Sequence, residues 1–347
     1  MSFRVVCSAL VMCLASSGAA FAQSAPLTTT EAMIPSSDPG VKLYIRNKRA
    51  EGMTSFSPDT TLLFIHGATY PAETSFDLPI DGVSMMDLFA QNGFDVYLVD
   101  VRSYGRSTRP PEMDQPPEAN KPIATSEEAG ADLGAAVDYI LAQRGIPKLD
   151  LMGWSWGTSI AGAYTADHND KINRLVLYAP AWTSQPPVEP STGVLPAYRV
   201  VAKDEAKARW LRGVPEDKQA ALIPPGVFDQ WWSATLATDP VGSKMNPPKL
   251  RAGNGVRAEF ANYWMAGKPF YDPGKIAVPT LAIHAEWDAD LPSAMAQTYF
   301  TKLTNAPYKR FVELGEGTHT VMLEKNRMQF FHELMGFLDE ERPLALK

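Results

Sequence analysis

Leu149-Asp150-Leu151-Met152-Gly153-Trp154-Ser155-Trp156-Gly157-Thr158 is the stretch whose reading decides the fold. A short apolar run ends in Gly-Trp-Ser-Trp-Gly, and the small, apolar segment Thr158-Ser159-Ile160-Ala161-Gly162-Ala163-Tyr164 follows. This pattern predicts a strand, a tight turn and a closely packed helix, with Ser155 at the apex. Gly153 and Gly157 remove the Cβ atoms that would collide where strand and helix cross. A serine placed there projects its hydroxyl away from the sheet, and the amides that open the helix converge on the same point. The pattern constrains only three positions, so its meaning depends on the chain around it.

Working outward, the runs Thr61-Leu62-Leu63-Phe64-Ile65, Asp95-Val96-Tyr97-Leu98-Val99 and Arg174-Leu175-Val176-Leu177-Tyr178 predict buried strands. Val278-Pro279-Thr280-Leu281-Ala282-Ile283-His284 and Lys309-Arg310-Phe311-Val312-Glu313-Leu314 predict two more, and Val41 to Arg46 alternates like an edge strand. Helical patterns separate them: Gly82 to Asn92, a segment capped by Thr125 or Ser126 with Leu133, Val137, Ile140 and Leu141 inward, and Glu324 to Leu338. Strand and helix alternating in this way predict an α/β fold, a mostly parallel central sheet flanked by helices. Two segments, 41–181 and 273–347, make up that core. Between them, 182–272 contains no short apolar strand and carries Trp210, Trp231, Trp232 and Trp264. It is expected to be a helical cap inserted after the strand ending near Tyr178, its aromatics packing together or lining an apolar pocket. Residues 23–40, polar and rich in Ser, Thr and Pro, are expected to be a flexible N-terminus.

The chain has 347 residues, 45% hydrophobic and 20% charged, enough for a sizeable core. Arg4, the apolar run Val5 to Leu14 and the ending Ala20-Phe21-Ala22 predict an export signal over 1–22, cleaved before Gln23. The product would be periplasmic or secreted. The apolar run is too short to serve as a membrane anchor, and Leu10-Val11-Met12 lacks the small residues a lipoprotein site at Cys13 would need. Both cysteines, Cys7 and Cys13, lie in that signal, so the mature chain would have no disulfide and no thiolate chemistry. A formal charge of −7 without a basic run argues against nucleic acid as a partner. His66, His168, His284, His319 and His332 show no metal-ligand spacing. No metal and no cofactor are expected; the partner is a small-molecule substrate.

A serine hydroxyl becomes a good nucleophile only when a base takes its proton. His332 lies in an amphipathic helix, His168 ends the helix after Ser155, and His66 ends a strand where it supports the loop backbone. His284 also ends a strand and could approach from beneath. His319, in Gly315-Glu316-Gly317-Thr318-His319-Thr320, follows the last strand on the side where such sheets place their sites, and is the preferred base. The orienting carboxylate comes from Glu286-Trp287-Asp288-Ala289-Asp290-Leu291-Pro292, with Asp288 the first choice and Asp290 the second. The backbone amides of Trp156 and Ala68 are the candidate oxyanion donors.

The five blocks His66-Gly67, Asp100 to Ser107, Gly153 to Gly157, Glu286 to Pro292 and Gly317-Thr318-His319 together resemble the α/β-hydrolase superfamily, in its capped esterase, lipase and peptidase branch. The resemblance covers roughly residues 41–340 and follows that family's order of Ser, Asp, His. It implies a Ser155, His319, Asp288 triad under a lid. The expected activity is a serine hydrolase of the carboxylesterase or lipase type, acting on an ester or lactone of a small, largely apolar substrate through an acyl-enzyme. The Trp-Ser-Trp elbow also resembles that of prolyl iminopeptidases, whose lids hold the substrate's amino group with acids; Asp204, Glu205, Glu216 or Asp217 could serve here. A non-catalytic binding protein on the same fold is the third reading.

Overall fold

A computed structural model describes residues 26–184 and 195–340. The proposed signal over 1–22 and its cleavage site lie outside the described residues. Ten strands are present: β1 (Leu27–Pro35), β2 (Lys42–Ala50), β3 (Thr61–Ile65), β4 (Asp95–Val99), β5 (Leu149–Trp154), β6 (Ile172–Tyr178), β7 (Tyr198–Val201), β8 (Leu250–Gly253), β9 (Thr280–Ala285) and β10 (Lys309–Leu314). Eight of them form one sheet in the order β1-β2-β4-β3-β5-β6-β9-β10. β1 and β2 run antiparallel, β2 meets β4 antiparallel, and every other pairing is parallel. The sheet is therefore mostly parallel, as the apolar runs predict. β3, β4, β5 and β6 are buried along their whole length, because helices cover both faces.

The chain leaves β3 toward β4 on one side and returns to β5 on the other. The carboxyl ends of β3 and β5 thus flank the point where strand order reverses, the usual place for a ligand site in such a sheet. Ser155 follows β5 at that point, and His66-Gly67 follows β3.

Ten helices accompany the strands among the described residues: α1 (Ala72–Phe76), α2 (Met85–Gln91), α3 (Ser126–Arg144), α4 (Trp156–Asp167), α5 (Lys203–Trp210), α6 (Gln219–Leu222), α7 (Val227–Ala237), α8 (Gly255–Glu259), α9 (Ser293–Lys302) and α10 (Arg327–Leu338). Thr125 caps α3 through a reciprocal bond pair with Glu128, and Ser84 caps α2 in the same way with Asp87. α10 starts three residues later than its sequence pattern suggests, because Glu324 has extended backbone (φ −103°, ψ 177°) and Asn326 is the N-cap.

Two expectations are corrected. The segment 23–40 is not loose where it is described: Leu27–Pro35 forms the edge strand β1, paired with β2 over nine residues from Leu27↔Ala50 to Pro35↔Lys42. Its threonines are good strand formers on a solvated edge, where a polar composition says little about order. Glu31 binds Arg46 and Ile34 is buried. The cap segment, in turn, is not purely helical. β7 and β8 form an antiparallel ribbon beside α5 to α8. Each is only four residues long, too short for its alternation around Arg199 or Arg251 to stand out in the sequence.

The elbow is held by close backbone approach. A Cβ on Gly153 would lie 2.3 Å from the Gly157 carbonyl oxygen, and one on Gly157 would lie 2.6 Å from that of His66. Gly157→Ala gains at most about 1 kcal/mol of helix propensity, whereas forcing a methyl into backbone costs about 1–3 kcal/mol. The clash should win. Chemical denaturation of Gly157→Ala is expected to show a net loss of about 1–2 kcal/mol; a stability equal to or above wild type would contradict the packing described.

Candidate active site

Ser155 sits between β5 and α4 with φ 56° and ψ −124°. A non-glycine residue at positive φ costs on the order of 1–3 kcal/mol and persists only where its surroundings impose it. Here they do: the Ser155 amide donates to Tyr178 O at 2.8 Å, and Gly67 packs so tightly that a Cβ there would meet Ser155 Cβ at 2.9 Å. The turn aims Oγ at His319, whose Nε2 lies 2.7 Å away. His319 Nδ1 lies 2.7 Å from Asp288 Oδ2. A carboxylate can only accept, so Nδ1 carries the proton and Nε2 is left to accept from the serine hydroxyl. The other Asp288 oxygen accepts from the amides of Asp290 (2.9 Å) and Leu291 (3.0 Å), which fixes the carboxylate plane.

The His319 loop is braced on three sides. Trp154 Nε1 donates to the His319 carbonyl at 2.8 Å, and Tyr178 OH donates to the Thr318 carbonyl at 2.6 Å. Glu324 accepts from the Thr318 amide at 2.9 Å, from the Thr318 hydroxyl, and from Trp210 Nε1 at 2.8 Å. Burial pushes the Glu324 carboxyl up to about 7, against the opposing pull of these donors.

The remaining histidines have other tasks. His66 Nδ1 donates to Gly67 O and its Nε2 accepts from the Val101 amide, so the ring is neutral; burial drives it down to about 4. It supports the loop backbone, as its position after β3 predicts. His284 does not approach Ser155: its Nε2 bonds the Leu291 carbonyl at 2.8 Å and steadies the acid-bearing turn. His332 is exposed on α10, and His168 stacks on Tyr164 at the end of α4.

Asp290, the second choice for the acid, faces another way. It bonds Arg209 (Nε to Oδ2, 2.7 Å) and pairs with Arg212. Among the described residues, the amides of Trp156 and Ala68 donate to no other protein group, and both residues line the cavity that Ser155 faces.

That cavity has a volume of about 930 Å³. Its walls include Val256, Phe260, Trp264 and Leu291, but also Arg199, Arg209, Arg212 and Arg257. The arginines are an addition to the expectation for the cap, whose aromatics were to pack together or line an apolar pocket. Trp264 and Phe260 do reach the cavity, whereas Trp210, Phe228, Trp231 and Trp232 pack edge-on or tilted against one another. The acids considered as ammonium holders, Asp204, Glu205, Glu216 and Asp217, are exposed and none lines the cavity; Glu205 caps its own helix.

A family model described as the alpha/beta hydrolase fold matches residues 60–326. The chain belongs to this fold family. Solved structures similar to it include a thermophilic esterase from Thermogutta terrifontis, at 17% identity and TM-score 0.56, covering 89% of this chain and 98% of that one. An enol-lactonase from Burkholderia xenovorans is similar at 17% identity and TM-score 0.56, covering 90% and 100%. The 2-hydroxy-6-oxo-6-phenylhexa-2,4-dienoate hydrolase from Rhodococcus sp. strain RHA1 follows at 16% identity and TM-score 0.57, covering 91% and 100%. At such identities the likeness speaks to the fold. No curated protein matches the chain.

The two candidate acids separate cleanly by experiment. Asp288→Asn should lower hydrolytic kcat by about 10³–10⁴ by disturbing the His319 tautomer. Asp290→Asn should lower it by less than about tenfold, since it touches only Arg209, Arg212 and its own turn. The reverse order in steady-state kinetics would overturn the assignment.

Proposed function

We propose that this chain is a serine hydrolase that cleaves a carboxylic ester or lactone through an acyl-enzyme on Ser155. One observation carries the reading: the unbroken line Asp288–His319–Ser155, with both side-chain links at 2.7 Å, opens on the cavity. Membership of the α/β-hydrolase fold family supports it.

In this mechanism Ser155 Oγ attacks the substrate carbonyl carbon while His319 Nε2 takes its proton. The carbonyl oxygen becomes an oxyanion that receives the amide hydrogens of Trp156 and Ala68. Asp288 stabilises the imidazolium and keeps its orientation. The tetrahedral intermediate collapses, His319 returns the proton to the departing alkoxide, and the acyl group remains on Ser155. Water then repeats the sequence, with His319 as base, and releases the acid. The ionised Arg side chains on the walls and the lack of an unengaged carboxylate among the described lining residues disfavour a substrate that must present a free ammonium.

Ser155→Ala and His319→Ala should each reduce kcat on short-chain p-nitrophenyl esters by about 10³–10⁶. Esters should be turned over far faster than proline-β-naphthylamide. Full ester activity in Ser155→Ala, or preference for the amide, would overturn the proposal.

A further inference from the structure

The whole chain is acidic, with formal charge −7, yet the wall above Ser155 is cationic. Four arginines line that cavity, and the carboxylate among its lining residues is Asp290, which Arg209 and Arg212 share. Arg199 is the informative member. It stands half-buried on β7 and has no carboxylate within ion-pairing distance among the described residues. Its Nη1 donates to Gly253 O at 2.7 Å and Asn254 Oδ1 at 3.3 Å, and its Nη2 donates to Thr69 Oγ1. Among the described residues, Nε–H and one Nη2 hydrogen have no acceptor. Burial, with Arg209 and Arg257 as like-charged neighbours, pushes the Arg199 pKa below its ordinary value.

Bracing of the ribbon accounts for three of these bonds. It does not account for the lack of a counter-charge among the described residues, since a half-buried cation facing a cavity is best held by an anion. Nor does it account for three further guanidinium groups on the same wall. Thr69, which Arg199 grips, follows Ala68 directly, so the guanidinium lies on the oxyanion side of the cavity. The two spare hydrogens of a planar guanidinium suit the two oxygens of a carboxylate.

We infer that the substrate is an ester or lactone that itself bears a carboxylate, and that Arg199 binds this group beside the reacting carbonyl. The inference rests on the serine-hydrolase reading and names the substrate class of that site. Arg209, already held by Asp290, and exposed Arg257 raise the local potential that draws the anion in.

The test compares mono-p-nitrophenyl glutarate with p-nitrophenyl butyrate, which share a leaving group. Wild type should prefer the carboxylate ester by kcat/KM, and the preference should fall as salt is raised. Arg199→Gln should reduce the ratio of the two kcat/KM values by about 10–100-fold, mainly through KM for the glutarate ester; Arg199→Lys should recover part of it. Calorimetry with glutarate alone reads the same site without chemistry: wild type should bind and Arg199→Gln should bind at least about tenfold more weakly. A wild type indifferent to the carboxylate, or an Arg199→Gln variant with an unchanged ratio and unchanged glutarate affinity, would overturn the inference. Arg199-dependent glutarate binding without ester turnover would instead sustain the anion site and remove the serine-hydrolase reading.

Discussion

Three backbone segments cross at van der Waals contact where β5 turns into α4, and the rest of the site depends on that crossing. Gly153 touches Gly157, Gly157 touches the carbonyl of His66, and Gly67 touches Ser155. No side chain fits between them. The strained φ of Ser155 is the outcome of this crowding. Its benefit is positional: the hydroxyl is placed at the reversal point of the sheet, beside the amides of Trp156 and Ala68, before any ligand arrives. Electrostatic assistance of this kind is effective because its dipoles need no reorganisation during reaction.

The cap is tied to this elbow by buried polar bonds. Glu259, at the end of α8, accepts from the Ser126 amide at 2.7 Å and the Ser126 hydroxyl at 2.5 Å; Ser126 Oγ in turn accepts from Trp156 Nε1 at 2.8 Å. On the other side Trp210 of α5 reaches Glu324 beneath the His319 loop, and Arg209 reaches Asp290 in the acid-bearing turn. Each tie links a cap helix to a loop that carries Ser155, His319 or Asp288. The buried members, Glu259 and Glu324, cost much to leave unpaired, because an abandoned carboxyl stays buried. These ties fasten α5 and α8 of the cap to the loops beside Ser155, His319 and Asp288.

The core sheet was legible in the sequence because buried parallel strands are continuous apolar runs and their connecting helices have strong caps and stops. Ser155, His319 and the turn carrying Asp288 and Asp290 could be singled out for a related reason: they follow the ends of such strands, where position in the chain already implies position in space. Asp288 and Asp290 could not be separated by pattern, since one turn decides between them, and only the contacts with His319 and Arg209 do so. β1 was missed because an edge strand with one wet face looks like a polar tail. Arg199 was missed because it stands in a four-residue strand whose meaning comes from Thr69, some 130 positions away. One signal was available, an arginine flanked by Tyr198 and Val200 in a segment otherwise read as packing.

The central claim is that Ser155, and no other nucleophile, receives the acyl group. The most direct measurement is mass spectrometry of peptides from folded protein treated with a fluorophosphonate probe. The account predicts one adduct, on the peptide containing Ser155, lost when His319 is replaced by alanine. An adduct elsewhere, or an unmodified Ser155 in well-folded protein, would contradict it.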